Sequence, residues 1–263
     1  MRKINGPAVN APRLYAAFGM VTTRLRKMHT TRKLDLWQRL GRLVGELGLG
    51  MAFLYGCDRL LRRINSHCGL YCYCFFAQPL SLEPRLPPTR GQSFSFRLLM
   101  GMEPVLDGLG RPEIVLRDRF SQGSQCLLAT KNETFVGCIW FARGDYAEDE
   151  VRVDYLLPPS GDCVWDFDVY VAEAQRLGYL FAKQWDAFDA LLQPQGVRYT
   201  LSRINAFNQR SMASHESMGA HRCGRALFIC LGPLQVMVSD RRPYVALGGR
   251  PKLHIGPNEV VKS

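Results

Sequence analysis

The chain contains no apolar run near the roughly 18–20 residues that span a membrane. Yet 47% of its 263 residues are hydrophobic, enough to build a core. It also lacks the pattern of a secretory leader. The opening "MRKINGPAVNAPRLYAAFGMVTTRLRKM" is basic at both ends, but its apolar middle is short and broken by Pro, Arg and Gly. A cytoplasmic protein is the expectation, with Met20 or Met28 as alternative starts. No CxxC pair occurs among the nine cysteines. His67, Cys68, Cys72 and Cys74 in "HCGLYCYC" lack zinc-site spacing, so no metal is expected and the thiols read as small core residues. G-x-G-x-x-G and G-K-[ST] are missing too, which argues against a dinucleotide fold and a P-loop. No internal repeat appears.

Acidic residues are scarce in one region only. Residues 1–90 hold 15 Lys/Arg against 4 Asp/Glu, while the rest of the chain holds 19 of each. The net charge of +11 therefore belongs to the N-terminal third. Such asymmetry fits either a solvated basic leader or a segment drawn to an anionic surface. The basic residues are interleaved with aliphatics rather than with a stacking aromatic series, so nucleic acid is not the expected partner.

Residues 36–64 show helical periodicity interrupted by glycines at 41, 45, 48, 50 and 56, which predicts two short amphipathic helices. Proline-rich "QPLSLEPRLPPTRG", from Gln78 to Gly91, reads as a boundary. The expected division is a basic helical extension with its linker over 1–90, a catalytic domain over 91–235 and a tail over 236–263. Within the domain, "SFSFRLL" predicts a strand and "RPEIVLRDRF" a helix opening at Pro112. "QCLLATKN" and "TFVGCIWFA" predict a hairpin turning at Lys131–Glu133, and "YAEDEVRVDYLL" another strand and loop. Then follow a strand at "VWDFDVYV", a helix over 179–192, a strand at "GVRYTLSRI", a helix over "NQRSMASHESMG" and a last strand at "RALFICLG". Asn208 is the N-cap of the last helix and Gly219 its stop. The fold class is α/β: a mixed, mostly antiparallel central sheet in which strands 164–171 and 197–204 form a parallel β-α-β core joined by one helix crossover.

The turn "EAQRLG" sits where the first of these parallel strands hands over to its helix, and a helix N-terminus there is a natural cradle for phosphate. Asp166 and Asp168 alternate along that strand, so they should share one face and raise one another's pKa, which suits a base. The competing reading is a salt bridge to Arg152 or Arg203. Glu148, Asp149 and Glu150 form an acidic run, read either as a solvated loop or as a lure for a cationic acceptor. Cys163 and Cys223 read as core thiols.

Over residues 92–232 the order and motifs resemble the GNAT superfamily of acetyl-CoA-dependent N-acetyltransferases. Its pyrophosphate loop, Q/R-x-x-G-x-G/A, is matched by Gln175-Arg176-Leu177-Gly178-Tyr179-Leu180, with Leu180 departing from the final small residue. Its motif N-x-x-[AS]-x-x-x-Y-x-x-x-G-F is matched by Asn208, Ser211, Gly219 and, with two departures, by His215 for Tyr and Ala220 for Phe.

The resemblance implies an acetyl-CoA (or other acyl-CoA) co-substrate and direct attack by a primary amine on the thioester. It implies that residues 175–180 hold the pyrophosphate, that Val169, Tyr170 and Val171 bind the pantetheine, and that Asn208 and Ser211 lie on the same ligand. His215 takes the place of the family's thiolate-protonating Tyr. Asp168, ahead of Asp166, is the candidate base, and Arg203 and Asn205 are candidate acceptor contacts. The departures at Leu180 and His215 leave open a non-catalytic acyl-CoA sensor or scaffold. The basic residues of 1–65 add a peripheral contact with an anionic membrane, at its inner face, as an expectation.

Overall fold

The computed structural model describes residues 44, 45 and 47–257. In chain order the elements are α1 (Leu49–Ile64), β1 (Cys68–Pro79), β2 (Phe94–Leu99), α2 (Glu113–Ser121), β3 (Gln125–Lys131), β4 (Thr134–Ala142), β5 (Tyr146–Ala147) and β6 (Asp154–Leu156). They continue with β7 (Cys163–Val171), α3 (Leu180–Leu192), β8 (Tyr199–Asn205), α4 (Gln209–Ser217), β9 (His221–Leu231), β10 (Leu234–Ser239), β11 (Val245–Leu247) and β12 (Lys252–His254). Nine strands form one mixed sheet in the order β11-β10-β9-β1-β8-β7-β4-β3-β2, and β12-β6-β5 form a second, small sheet. Of the expected pair of helices over 36–64, α1 is the described one, and most of the first lies outside the described residues. Among the described residues no helix is long and apolar enough to cross a membrane.

The strands of the parallel core form as the sequence predicts: β7 and β8 run parallel, with α3 as the crossover. Two boundaries differ. Residues 68–79 belong to the sheet rather than to an N-terminal extension. Strand β1 lies between β8 and β9 and bonds to both. A strand covered on both faces reads as a continuous apolar run rather than an alternation, which is why "CGLYCYCFFA" gave no periodic signal. The segment 236–263 is likewise no tail, since β10 spans the expected boundary and β11 and β12 follow it, β12 pairing with β6.

The proline-rich segment after β1 is a strap across α3. Leu80 N–H donates to the Arg198 carbonyl (2.9 Å) and Arg85 N–H to Asp186 Oδ1 (2.8 Å). The Arg85 guanidinium meets Asp189 Oδ2 at 2.5 Å. Prolines suit a segment whose polar contacts come from a few fixed N–H groups rather than a ladder.

Both faces of the large sheet are covered near β7. On one, Trp185, Phe188 and Leu192 of α3 pack on Ile139, Phe141 and Val164, and Met212 of α4 packs on Phe76 and Ile204. On the other, Tyr155, Val153 and Leu253 of the small sheet and its loops pack on Phe75, Trp165 and Phe228. Leu116 of α2 packs on Leu128 and Trp140 on that same face.

Candidate active site

The parallel register of β7 and β8 runs only from Cys163–Tyr199 to Asp166–Ser202. Beyond that rung β8 stays bonded to β1 and β7 to β4, so a gap opens between them. Along β4, Phe141 opposes Asp166 but the next residue, Trp140, opposes Asp168. Phe167 is therefore an extra residue, a bulge. Because side chains alternate strictly, one extra residue reverses the parity of all that follow. Asp166 lies on the α3/α4 face with Val164. Asp168 lies on the α2 face with Trp140. This corrects the expectation that the two aspartates share a face.

Downstream of the bulge, the Ala172 N–H bonds back to the Val136 carbonyl of β4 (2.8 Å). Alternation then directs the backbone groups of Tyr170 toward β4 and those of Val169 and Val171 toward the gap. The chain next makes a 3-10 turn at Glu173–Gln175 and enters α3. Gln175, Arg176 and Gly178 donate their N–H groups back into this turn. The N–H groups of Leu180, Phe181 and Ala182, in the first turn of α3, have no helical acceptor, and α3 carries neither a side-chain cap nor an acid in that turn. Around them stand Arg176, which donates to the Val171 carbonyl (3.3 Å), and Arg90, which donates to the Tyr179 hydroxyl (2.7 Å). Leu177 is 97% exposed, whereas the Leu180 side chain is buried against Ala129 and Val136 and offers only its N–H. A Cβ at Gly178 would meet only the Gln175 carbonyl, at 3.4 Å, so the local chain does not itself demand glycine there.

On the α3/α4 face, Asp166 is almost fully buried and its Oδ2 has no hydrogen-bond partner. Burial pushes its pKa up to about 7, with the nearby Thr200 hydroxyl pulling it partly back. His215 of α4 is also buried, between Phe76 and Trp185. Its Nδ1 lies 3.2 Å from Gln78 Oε1. The Gln78 side-chain amide is thus the polar partner of the ring, and Gln78 Nε2 has no hydrogen-bond partner among the described residues. Burial lowers this histidine's pKa to about 4, so it is neutral at pH 7. A neutral ring is a weak acid, which counts against the thiolate-protonating role that the resemblance implies for this position.

The α2 face is built of ion pairs. Asp168 Oδ2 accepts from Arg119 (2.9 Å) and Arg111 (3.1 Å), so its salt-bridge partners are these rather than Arg152 or Arg203. Arg119 lies between the rings of Trp140 and Phe167, 5.1 Å from each centroid, and also faces Asp149 at 3.8 Å. Burial first, and the Glu148 carboxylate second, push the Asp149 carboxyl well above the usual carboxylate range. Glu148 goes the other way: burial alone would raise it, but the Arg203 guanidinium, at 2.5 and 2.7 Å, holds it low. Arg203 also meets Glu150 (3.1 Å) and lies over the Tyr73 ring. Arg203, expected to contact an acceptor, is thus committed to a buried ion pair, and Glu148 is not part of a solvated loop.

Asn205 Oδ1 accepts the Phe207 N–H (2.9 Å), and Asn208 caps α4 by accepting the Ser211 N–H (3.1 Å). Both polar groups are used in shaping the turn into α4. Burial pushes the Cys163 and Cys223 thiols up to about 12, as suits core residues. Among the described residues no group of His, Cys, Asp or Glu is arranged to hold a metal. The sequence reading missed Arg111, Arg119 and the singular position of Asp149. Alternation hides the bulge that brings Asp168 to them, and no local pattern marks it.

No family profile matches the chain, and no curated protein matches its sequence. Among solved structures, a functionally unknown conserved protein from Staphylococcus epidermidis is 12% identical, over 66% of this chain and 67% of that one, with a TM-score of 0.46. A tandem GNAT protein from the clavulanic acid biosynthesis pathway is 11% identical over 59% of this chain, with a TM-score of 0.41. A GCN5-related N-acetyltransferase from Sphaerobacter thermophilus is 14% identical over 65% of this chain, with a TM-score of 0.39. This chain spans about half the length of the last two, 51% and 54%. Likenesses of this size extend to chain path alone, and the functional reading rests on the site itself.

Proposed function

We propose that the protein transfers an acetyl group, or another acyl group, from its CoA thioester to a primary amine on a small molecule. The observation that supports this most is the gap between β7 and β8. It ends at the Asp166–Ser202 rung, is edged by backbone groups of Val169 and Val171, and leads to the uncapped N-terminus of α3. An extended pantetheine would lie along that edge as a short strand, with its pyrophosphate at residues 176–182. The amine nitrogen attacks the thioester carbon from the α2 face. The C–N bond forms, the C–S bond breaks, and CoA leaves as thiolate. Asp149, with its raised pKa beside Arg119, takes the amine's proton. Asp166, at the closed end of the gap, gives a proton to the thiolate. Asp168 orients Arg119, and His215 shapes the α4 side of the gap.

A second reading is an acyl-CoA-binding protein without turnover. The specific observations in its favour are the neutral, buried His215 and the two arginines on Asp168.

Calorimetric titration with acetyl-CoA and with free CoA tests both. The intact chain should bind with a dissociation constant in roughly the micromolar range. Gly178→Trp, at a position where a Cβ meets only the Gln175 carbonyl, should weaken binding at least about tenfold. Thiol release with a panel of amines, lost in Asp149→Asn, separates transfer from mere binding. Failure to bind either ligand removes both readings.

A further inference from the structure

Helix α1 carries apolar residues on two sides: Met51, Leu54, Tyr55 and Leu61 are half-buried, with Tyr55 edge-on to Phe207 at 5.3 Å, and a second set is exposed. Ala52 and Asp58 are buried, and Asp58 Oδ1 accepts the Leu70 N–H at 2.9 Å. Arg62 holds the same carboxylate at 2.7 Å and lies over the Tyr71 ring. On the far side, Leu49, Phe53, Leu60 and Ile64 are 78, 71, 59 and 74% exposed. At 100° per residue these four fall within one narrow stripe, with Arg59 and Arg63 along one flank. An ordinary surface helix exposes polar residues opposite its packed side; α1 exposes four large apolar ones there instead. A stripe of this kind marks an interaction surface.

The sequence leading into α1 identifies the partner by charge. Residues 1–43 carry ten Lys/Arg and a single acidic residue, Asp35. A second copy of the chain would carry the same net positive charge, and like charges repel. An anionic lipid surface attracts that segment and accepts the aliphatic stripe in its headgroup–acyl boundary. We propose that α1 is a membrane-docking helix that seats the protein on an anionic bilayer, with Leu49, Phe53, Leu60 and Ile64 inserted and Arg59 and Arg63 at the headgroups. This holds whether or not the domain transfers acyl groups.

The test is sedimentation of the full chain with vesicles of phosphatidylcholine carrying about one third phosphatidylglycerol. At low salt the chain should pellet with these vesicles, remain largely in solution with pure phosphatidylcholine, and be released by high salt. Phe53→Ser with Leu60→Ser should weaken pelleting by at least roughly tenfold, because two inserted side chains are removed. Leu49→Ser with Ile64→Ser, at the ends of the helix, gives the same reading if the first pair lowers the melting temperature. Val245→Ser with Leu247→Ser, exposed on the edge strand β11, should leave pelleting unchanged. The proposal is overturned if the intact chain stays in solution with anionic vesicles, or if neither α1 pair changes its binding. It is also overturned if the intact chain is a dimer that the α1 substitutions dissociate.

Discussion

Asp166 and Asp168 are two residues apart on β7, yet they inhabit opposite electrostatic worlds. Asp166 lies among Val164, Thr200 and the α3/α4 core, with one oxygen unpartnered and its pKa raised by burial. Asp168 is clasped by Arg111 and Arg119. The agent of the difference is the extra residue Phe167. A single bulge lets one strand present a neutral-leaning acid to one side of the gap and an ion-paired network to the other. Burial without a partner and burial with one are distinct physical states, and they respond to mutation with opposite signs.

The largest effect should come from the most buried pair on the charged face. Glu148→Ala leaves Arg203 inside the domain with only the half-exposed Glu150 near its guanidinium. Stripping one partner from a buried ion pair costs about 3–5 kcal/mol. Urea unfolding at pH 8 should show a loss of that order. A loss below about 1 kcal/mol would mean that water reaches Arg203, and the contrast between the faces would collapse.

The aspartates themselves make the sharper comparison. With its folded pKa raised to about 7, Asp166 binds more protons in the folded state than in the unfolded one between about pH 4 and 7. Its contribution to stability therefore declines as pH rises through that window. Asp166→Asn removes the decline. The variant should match the parent near pH 4 and exceed it at pH 8, by up to about 4 kcal/mol. Asp168→Asn should do the reverse at pH 8, losing roughly 1.5–3 kcal/mol as Arg119 loses its nearest anion. Unfolding curves for the two variants on the same side of the parent at pH 8 would sink the assignment of the aspartates to opposite faces.

How much of this could be read in the residues alone depends on the range of the interactions. Helix α3 was legible because Trp185, Phe188 and Leu192 recur at helical spacing and do face the core. The Asn208 cap was legible because capping is local, three residues from oxygen to N–H. The parallel pairing of β7 with β8 followed from a strand, a helix and a strand in order. What escaped was long-range. Strand β1 finds β8 and β9 more than a hundred residues away, and its unbroken apolar run names neither partner. The strap from Leu80 to Gly91 looked like a boundary because proline content does not disclose that Asp186 and Asp189 wait beneath it. The bulge at Phe167 has no local mark either. It is visible only once Trp140 and Phe141 of β4 are set against it, and every side-chain direction after it depends on that one count.

The smallest effect at neutral pH belongs to His215, and it tests whether the α3/α4 face is as dry as Asp166 implies. The imidazole bonds through Nδ1 to the Gln78 side-chain amide, and replacing it by phenylalanine forfeits that one neutral hydrogen bond, at a cost of about 1 kcal/mol at pH 7. Acid reverses the order. Burial holds the folded pKa at about 4, below the roughly 6.5 of an unfolded histidine. Between those values the unfolded chain binds the proton more readily, so the stability that His215 contributes is complete above about pH 6.5 and drains away as pH falls toward 4. His215→Phe has no such drain. Its unfolding free energy should lie below the parent's at pH 7, cross it between about pH 5 and 6, and exceed it at pH 4.5. Parallel curves across this range would mean that the ring takes up its proton in place. His215 would then be solvated enough to serve as an acid in the gap, and the two faces of β7 would differ less than their aspartates suggest.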